Sequence, residues 1–391
     1  MIEWQTVRLG TIVSTNQNTY SPKEDWQFVN YLDTGNITMN KVDEIQCINT
    51  LTEKLPSRAR RKVKSDSIIY STVRPNQLHY GIIKEQPENF LVSTGFVVID
   101  VDFEKAVPDY IYYALTRQEV TEHLQAIAEQ SVSAYPSIKP SDIENLELLL
   151  PDKNTQGKIV AILNSIDEKI KVNNEINNNL QQQAFALFDK LLSGEHLEVC
   201  TLSEIAELNP KRSLAKNEMT RCIDMAQLST SGSFPNGWQI KPYNGGMRFA
   251  NGDTLLARIT PCLENGKTAY IDFLDTDEIA FGSTEYVVLC SKGQYPSEFF
   301  YCLARYPSFV DYAVKNMNGS SGRQRVSAET VGKYLLPRLT DDELAEFRDV
   351  VPALFSAIRL NSLENISLSE LRDALLPKLM SGEIDVSDID I

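Results

Sequence analysis

The chain offers few residues whose type and spacing could run a reaction. Gly266-Lys267-Thr268 looks like the end of a phosphate-binding loop, but the first glycine of G-x-x-x-x-G-K-[ST] would fall on Pro261. Asn209-Pro210-Lys211 opens like an adenine-methyltransferase motif and then departs from it. No G-x-G-x-x-G and no G-x-S-x-G nucleophile elbow occur. The six cysteines are scattered and the three histidines are isolated, so neither a disulfide framework nor a zinc site is expected. Asp167-Glu168-Lys169 reads as the solvated face of a helix.

What remains is chemistry of binding. Ser57-Arg58-Ala59-Arg60-Arg61-Lys62-Val63-Lys64 puts five cations into eight residues, directly before a β-rich run at 66–73, with Arg74 just beyond it. A solvated loop is the plain reading of such a run. In an acidic chain, however, it is exceptional. A second set, Arg248, Arg258, Lys267, Arg323, Gln324 and Arg325, surrounds the corresponding run at 253–259. Lysine and arginine near turns neutralise phosphates, while arginine and glutamine can pair bidentately with guanine and adenine edges. Arg323–Arg325 match Pro136–Ile138 only loosely, so the two sets are expected to present unlike contacts.

Those residues sit in a repeat. Lys190-Leu191-Leu192-Ser193-Gly194-Glu195 returns as Lys378-Leu379-Met380-Ser381-Gly382-Glu383, and Pro108–Leu115 matches Pro296–Leu303, both at an offset of 188. Ser93-Thr94-Gly95-Phe96-Val97-Val98 matches Ser283-Thr284-Glu285-Tyr286-Val287-Val288 at 190. Strands are expected at 66–73, 91–101, 253–259 and 279–290, with helices over 109–129 and 297–315. The fold class is therefore α+β: two tandem modules, 1–151 and 196–339, each followed by a long helix, 152–195 and 340–382, and then an acidic tail at 383–391.

The helices carry one heptad frame. Its a positions are Ile159, Ile166, Asn173, Leu180 and Leu187, and its d positions Leu163, Ile170, Asn177, Ala184 and Leu191. The second helix repeats the frame with Phe347, Leu354, Asn361, Leu368 and Leu375 at a, and Val351, Ile358, Asn365, Arg372 and Leu379 at d. Laid antiparallel, Asn173 would face Asn365 and Asn177 would face Asn361, so that buried amides satisfy each other and fix register. A parallel pair would align the asparagines too; the economy of the connections favours antiparallel. The expected object is a dumbbell with pseudo-two-fold symmetry, with a kink at Pro352.

Length and charge fit this. The 391 residues, 42% of them hydrophobic, allow two or three domains with sizeable cores. The net charge of −15 opposes non-specific DNA affinity, but residues 340–391 hold only 4 Lys and Arg against 12 Asp and Glu. Screening confines each local field to about 10 Å. No apolar stretch approaches the roughly 20 residues of a membrane span, and Met1-Ile2-Glu3-Trp4-Gln5 lacks the character of a secretory signal, so a cytoplasmic location is expected.

Taken in order, Trp4-x-x-Val7-x-Leu9-Gly10-x-Ile12, Leu202-x-Glu204-Ile205-Ala206-x-Leu208-Asn209-Pro210, Leu255–Pro261 and the paired Leu-(Leu/Met)-Ser-Gly-Glu helix ends resemble the specificity (S) subunits of type I restriction–modification enzymes, over essentially the whole chain. The resemblance implies a non-catalytic, DNA-binding subunit. Each module would be a target-recognition domain for half of a bipartite sequence. The paired helices would act as a spacing ruler and docking site for two methyltransferase subunits, joined by motor-nuclease subunits. It also implies that S-adenosylmethionine, ATP and magnesium belong to those partners, and that no membrane is involved. The rival expectation is a helical scaffold for proteins that never touches DNA bases.

Overall fold

The computed structural model describes residues 4–131, 135–194, 198–320 and 322–389; Glu195, Ser321 and the last two residues of the acidic segment lie outside them. The chain divides into two compact units, residues 1–167 with 370–391, and residues 168–369. The division passes through both long helices, Lys153–Leu192 and Asp341–Ser381, so each unit owns a piece of each.

In the first unit one four-stranded sheet runs Gln46–Asn49, Phe28–Leu32, Phe90–Ser93, Ala59–Lys62, with a parallel pair at its centre. A second, wholly antiparallel sheet runs Val13–Thr15, Phe96–Val101, Ser67–Ser71, Tyr80–Ile83. The second unit repeats both orders: Gln239–Pro242, Met219–Ile223, Ala280–Gly282, Met247–Phe249, and Ala206–Leu208, Tyr286–Ser291, Thr254–Ala257, Thr268–Tyr270. A two-stranded ribbon closes each unit, Gln5–Arg8 with Glu147–Leu150 and Val199–Thr201 with Leu335–Pro337.

Two of the four runs expected as single strands, 91–101 and 279–290, are broken in two. At 91–101 the chain leaves the first sheet at Ser93 and enters the second at Phe96. The Ser93 hydroxyl accepts the Gly95 N–H at 3.2 Å, as Ser283 does for Glu285 at 3.1 Å. This is a serine turn, and it lets one apolar run serve two sheets. The expected helices are broken likewise. Pro108–Thr116 and Gln118–Glu129 part at Arg117, and Ser297–Arg305 and Pro307–Lys315 part at Tyr306, both extended. At Tyr306 the following proline disfavours the helical conformation.

Each unit packs its helix pieces against its own module. In the first, Ile159, Leu163, Leu376, Leu379 and Met380 share a core with Tyr110, Ile111 and Leu115. The Tyr113 hydroxyl lies 2.8 Å from Asn164 and 2.7 Å from Asp167, and Asp167 pairs with Arg372 at 2.9 Å. In the second, Ala184, Phe188, Phe347, Val351 and Phe355 pack on Phe299, Phe300 and Tyr301. Tyr301, 188 residues after Tyr113, donates to Gln181 at 3.1 Å. The helix continues through Pro352, flanked by buried Val351 and Phe355.

The acidic segment 383–389 is not a remote tail. Val386 is 1% exposed within the first unit's core, Ile384 packs beside it, and Lys158 donates to the Ser387 carbonyl at 2.6 Å. Its alternation of acids with Ile384 and Val386 gives it one apolar edge to bury.

In the second unit, burial raises the Asp272 carboxyl to about 7, against the opposing pull of Arg359. A folded-state value raised above the unfolded 3.8 contributes stability at low pH that is lost as pH rises towards 7. Asp272→Asn should therefore match the native chain near pH 4 and exceed it by about 2–4 kcal/mol at pH 8. Urea unfolding at the two pH values measures the difference; an equal response at both would refute it.

Candidate nucleic-acid interface

In the first unit three segments meet at the Ser93-Thr94-Gly95 turn. Thr94 donates its N–H to the Arg58 carbonyl at 2.8 Å, and Thr72 donates to the Gly95 carbonyl at 2.8 Å. Ile138 in turn donates to Thr72 at 2.9 Å, and Arg74 to Pro136 at 3.0 Å. Main-chain bonds thus gather the start of the cationic run, Arg74 and the 135–138 segment. Arg58 and Arg74 are both exposed. Arg74 has a left-handed backbone (φ 49°), and its guanidinium lies 5.3 Å from the Tyr135 ring centre.

The middle of the cationic run, Ala59–Lys62, is a strand, and this sorts its five charges. Arg60 is half-buried, without a side-chain partner among the described residues. Arg61 has its Nε buried without a partner among them, and burial lowers its pKa. Lys62 pairs with Glu24 and lies 5.0 Å over Trp26, while Lys64 is 3.9 Å from Asp100. Beside Arg58, burial opposes ionisation of Asp33. The Thr34 N–H, the Ser93 and Tyr31 hydroxyls and the Arg58 cation nonetheless hold its carboxyl below the usual range.

The second unit reproduces three of these four bonds. Arg258 donates to the Glu285 carbonyl, Val326 to Arg258 and Thr260 to Gln324, each at 3.0 Å. Gly95 therefore corresponds to Glu285, Thr72 to Arg258, Arg74 to Thr260, and Pro136 to Gln324. This moves the sequence match by one residue: Arg323–Arg325 stand where Tyr135–Ser137 stand, as the bridges Val73–Ser137 and Ile259–Arg325 also require. Strand register likewise equates Lys62, opposite Leu91, with Arg248, opposite Phe281.

The side chains on that lattice differ. Arg325 grips the Glu285 carboxylate through Nε and Nη2 at 2.8–2.9 Å, and Arg258 Nε reaches it at 3.2 Å. Hydrogen bonds from Arg325 foremost hold the Glu285 pKa low. Arg323 is exposed, and neither it nor Gln324 has a side-chain partner among the described residues. Arg248 lies 5.9 Å over Tyr243. Lys267 donates to the Met225 carbonyl at 2.9 Å, which gives its ammonium a structural partner. Sequence reading passed over Glu285 as a site residue, although the repeat displayed it against Gly95. It also passed over Tyr135, Asp33 and Trp26, which no spacing marks.

The helical residues sort as follows. In the second unit Asn173 donates to Asn365 at 2.9 Å and to Glu364 at 2.7 Å, and Asn361 donates to Asn177 at 2.9 Å, an antiparallel register. Ile159, Leu163, Ile166, Ala184, Phe347, Val351, Ile358 and Leu379 are buried, and Ile170, Leu191 and Leu368 half-buried. The strict heptad fails at four places. Leu180, Leu187, Leu354 and Leu375 are half-buried, while their neighbours Gln181, Phe188, Phe355 and Leu376 are buried. A straight helix drifts by about 20° per heptad, and these helices must also face a module core, so the buried stripe steps aside by one residue.

Among the described residues no three His, Cys, Asp or Glu side chains gather as a metal site would, and no helix is long and apolar enough to cross a membrane.

Residues 1–182 match the family model of the type I restriction modification DNA specificity domain. The chain is 25% identical to the type I restriction enzyme HindI specificity subunit of Haemophilus influenzae, covering 98% of this chain and 100% of that one. It is 23% identical to the MjaIX specificity subunit of Methanocaldococcus jannaschii, over 87% and 82%. Among solved structures, the type I restriction–modification system S subunit from M. genitalium shares its fold at a TM-score of 0.57, with 17% identity over 97% of this chain and 96% of that one.

Proposed function

We propose that this chain, which resembles the DNA specificity subunits of type I restriction–modification systems, reads one half of an asymmetric, two-part DNA site with each of its two units. The subunit supplies sequence specificity rather than catalysis. The observation that carries the two-part reading is the duplicated main-chain lattice with unlike side chains upon it. Arg74 over Tyr135 in one unit stands against Arg258, Arg323 and the Glu285 clamp in the other. One scaffold presenting two chemistries suits two different half-sites.

The long helices set the interval between the half-sites and dock two methyltransferase subunits, to which motor-nuclease subunits add. Adenine methylation with S-adenosylmethionine, and cleavage with ATP and magnesium, belong to those partners. Phosphate contacts come from Arg58, Arg60 and Arg74 in the first unit and from Arg323 in the second.

Modification-sensitive sequencing of host DNA, with the gene present and deleted alongside its methyltransferase partner, tests this. An asymmetric bipartite motif that loses adenine methylation on deletion is the expected result. An unchanged methylation map, together with no sequence-specific binding by the reconstituted complex, would replace the reading with a protein scaffold.

A further inference from the structure

We propose that Glu285 is a positioning residue that holds Arg258 edge-on to a guanine in the second unit's half-site. This inference rests on the two-part reading above. A carboxylate among the cations of a DNA-facing turn repels phosphate, so its presence there calls for a reason. The geometry supplies one.

Arg325 spends its donors inside the protein: Nε and Nη2 on Glu285, and Nη1 on the Arg323 carbonyl at 3.0 Å. It acts as a strut between the Glu285 carboxylate and the Arg323 carbonyl, and Asn318 and Arg325 also exchange two main-chain bonds at 2.9 Å. Arg258 is bound differently. Only its Nε meets Glu285, and both terminal nitrogens are without partners among the described residues. Its main chain is fixed on both sides, by Glu285 and by Val326. A guanidinium tethered through Nε keeps Nη1 and Nη2 as a planar pair of donors, the arrangement that matches guanine O6 and N7 in the major groove.

The first unit has no such strut. Gly95 stands at the Glu285 position, Ser137 at that of Arg325 and Thr72 at that of Arg258. Loss of Glu285 should therefore be felt at one half-site only.

The test uses the full chain reconstituted with its methyltransferase subunits. Methylation of a library randomised at both half-sites is compared for the native chain, Glu285→Gln and Arg258→Lys. The native complex should require a guanine in the second half-site. Both variants should lose that preference by roughly ten- to a hundredfold, with the first half-site read as before. Glu285→Gln should also bind non-specific DNA as well or better, and with a steeper salt dependence, because two guanidinia lose their counter-charge. A second half-site without guanine overturns the proposal, as does a guanine preference kept by either variant. So does a parallel loss at both half-sites, which marks a folding defect in place of positioning. A native complex with no bipartite preference instead refutes the two-part reading itself, and is told apart by the unsubstituted chain.

Discussion

Replacing Phe188 with alanine should destabilise the second unit by about 3–5 kcal/mol, the range for emptying a well-packed aromatic site. The ring is 1% exposed and stands 5.0 Å from Phe299, 5.5 Å from Tyr306 and 6.2 Å from Phe347, centre to centre. It joins a long helix to the module, so its loss opens a cavity that neither side can fill by a side-chain rotation. Leu187→Ala is the informative comparison. A strict heptad makes Leu187 the core residue, whereas the structure leaves it half-buried, and its truncation should cost about 1 kcal/mol. Urea unfolding followed by near-ultraviolet signals of the second unit separates the two, with the first unit's transition scored apart because two units need not unfold together. Equal losses at 187 and 188 would contradict the observed stripe.

The second large effect concerns DNA. Removing Arg58, Arg60 and Arg74 together should lower affinity of the methyltransferase complex by about a hundred- to a thousandfold at low salt. The dependence of log K on log salt should become shallower by about 3, at roughly 0.9 for each phosphate left without its cation. Lys62→Ala belongs in the same experiment. It comes from the same cationic run, yet Glu24 and the Trp26 face already engage its ammonium, so the salt slope should hardly move. Titration of labelled duplex at several salt concentrations reads both. A slope change for Lys62→Ala equal to the per-residue share of the triple variant would show that the run acts as an undivided patch of charge.

The repeat, the α+β class and the facing of Asn173 with Asn365 could be read from the sequence because each is periodic or duplicated. The strand Ala59–Lys62 could not. Its residues are Ala-Arg-Arg-Lys, with no apolar alternation, and it becomes a strand because Leu91 and Val92 pair with it from far along the chain. The sheet change at Ser93 hid for the opposite reason: both flanks are apolar, so the run reads as one strand while a single serine hydroxyl turns it. The Glu285 clamp joins residues 27 and 40 positions away from it, and only folding brings them together. Where sequence spacing and tertiary packing compete, as at Leu187 and Phe188, the module core prevails over the heptad.

The turn lattice has a consequence for how such a protein can change. Its bonds, Thr72 to Gly95, Ile138 to Thr72, Arg74 to Pro136 and their counterparts, all run from main chain to main chain. A peptide group offers the same donor and acceptor whatever side chain it carries, proline's missing N–H aside. Residues 72, 74, 135 and 137, and 258, 260 and 323, can therefore be exchanged without unmaking the frame that aims them. New preferences become reachable by point substitution, one unit at a time, with the other unit's reading intact. A library randomised at those seven positions would sample altered readers from a largely constant stability.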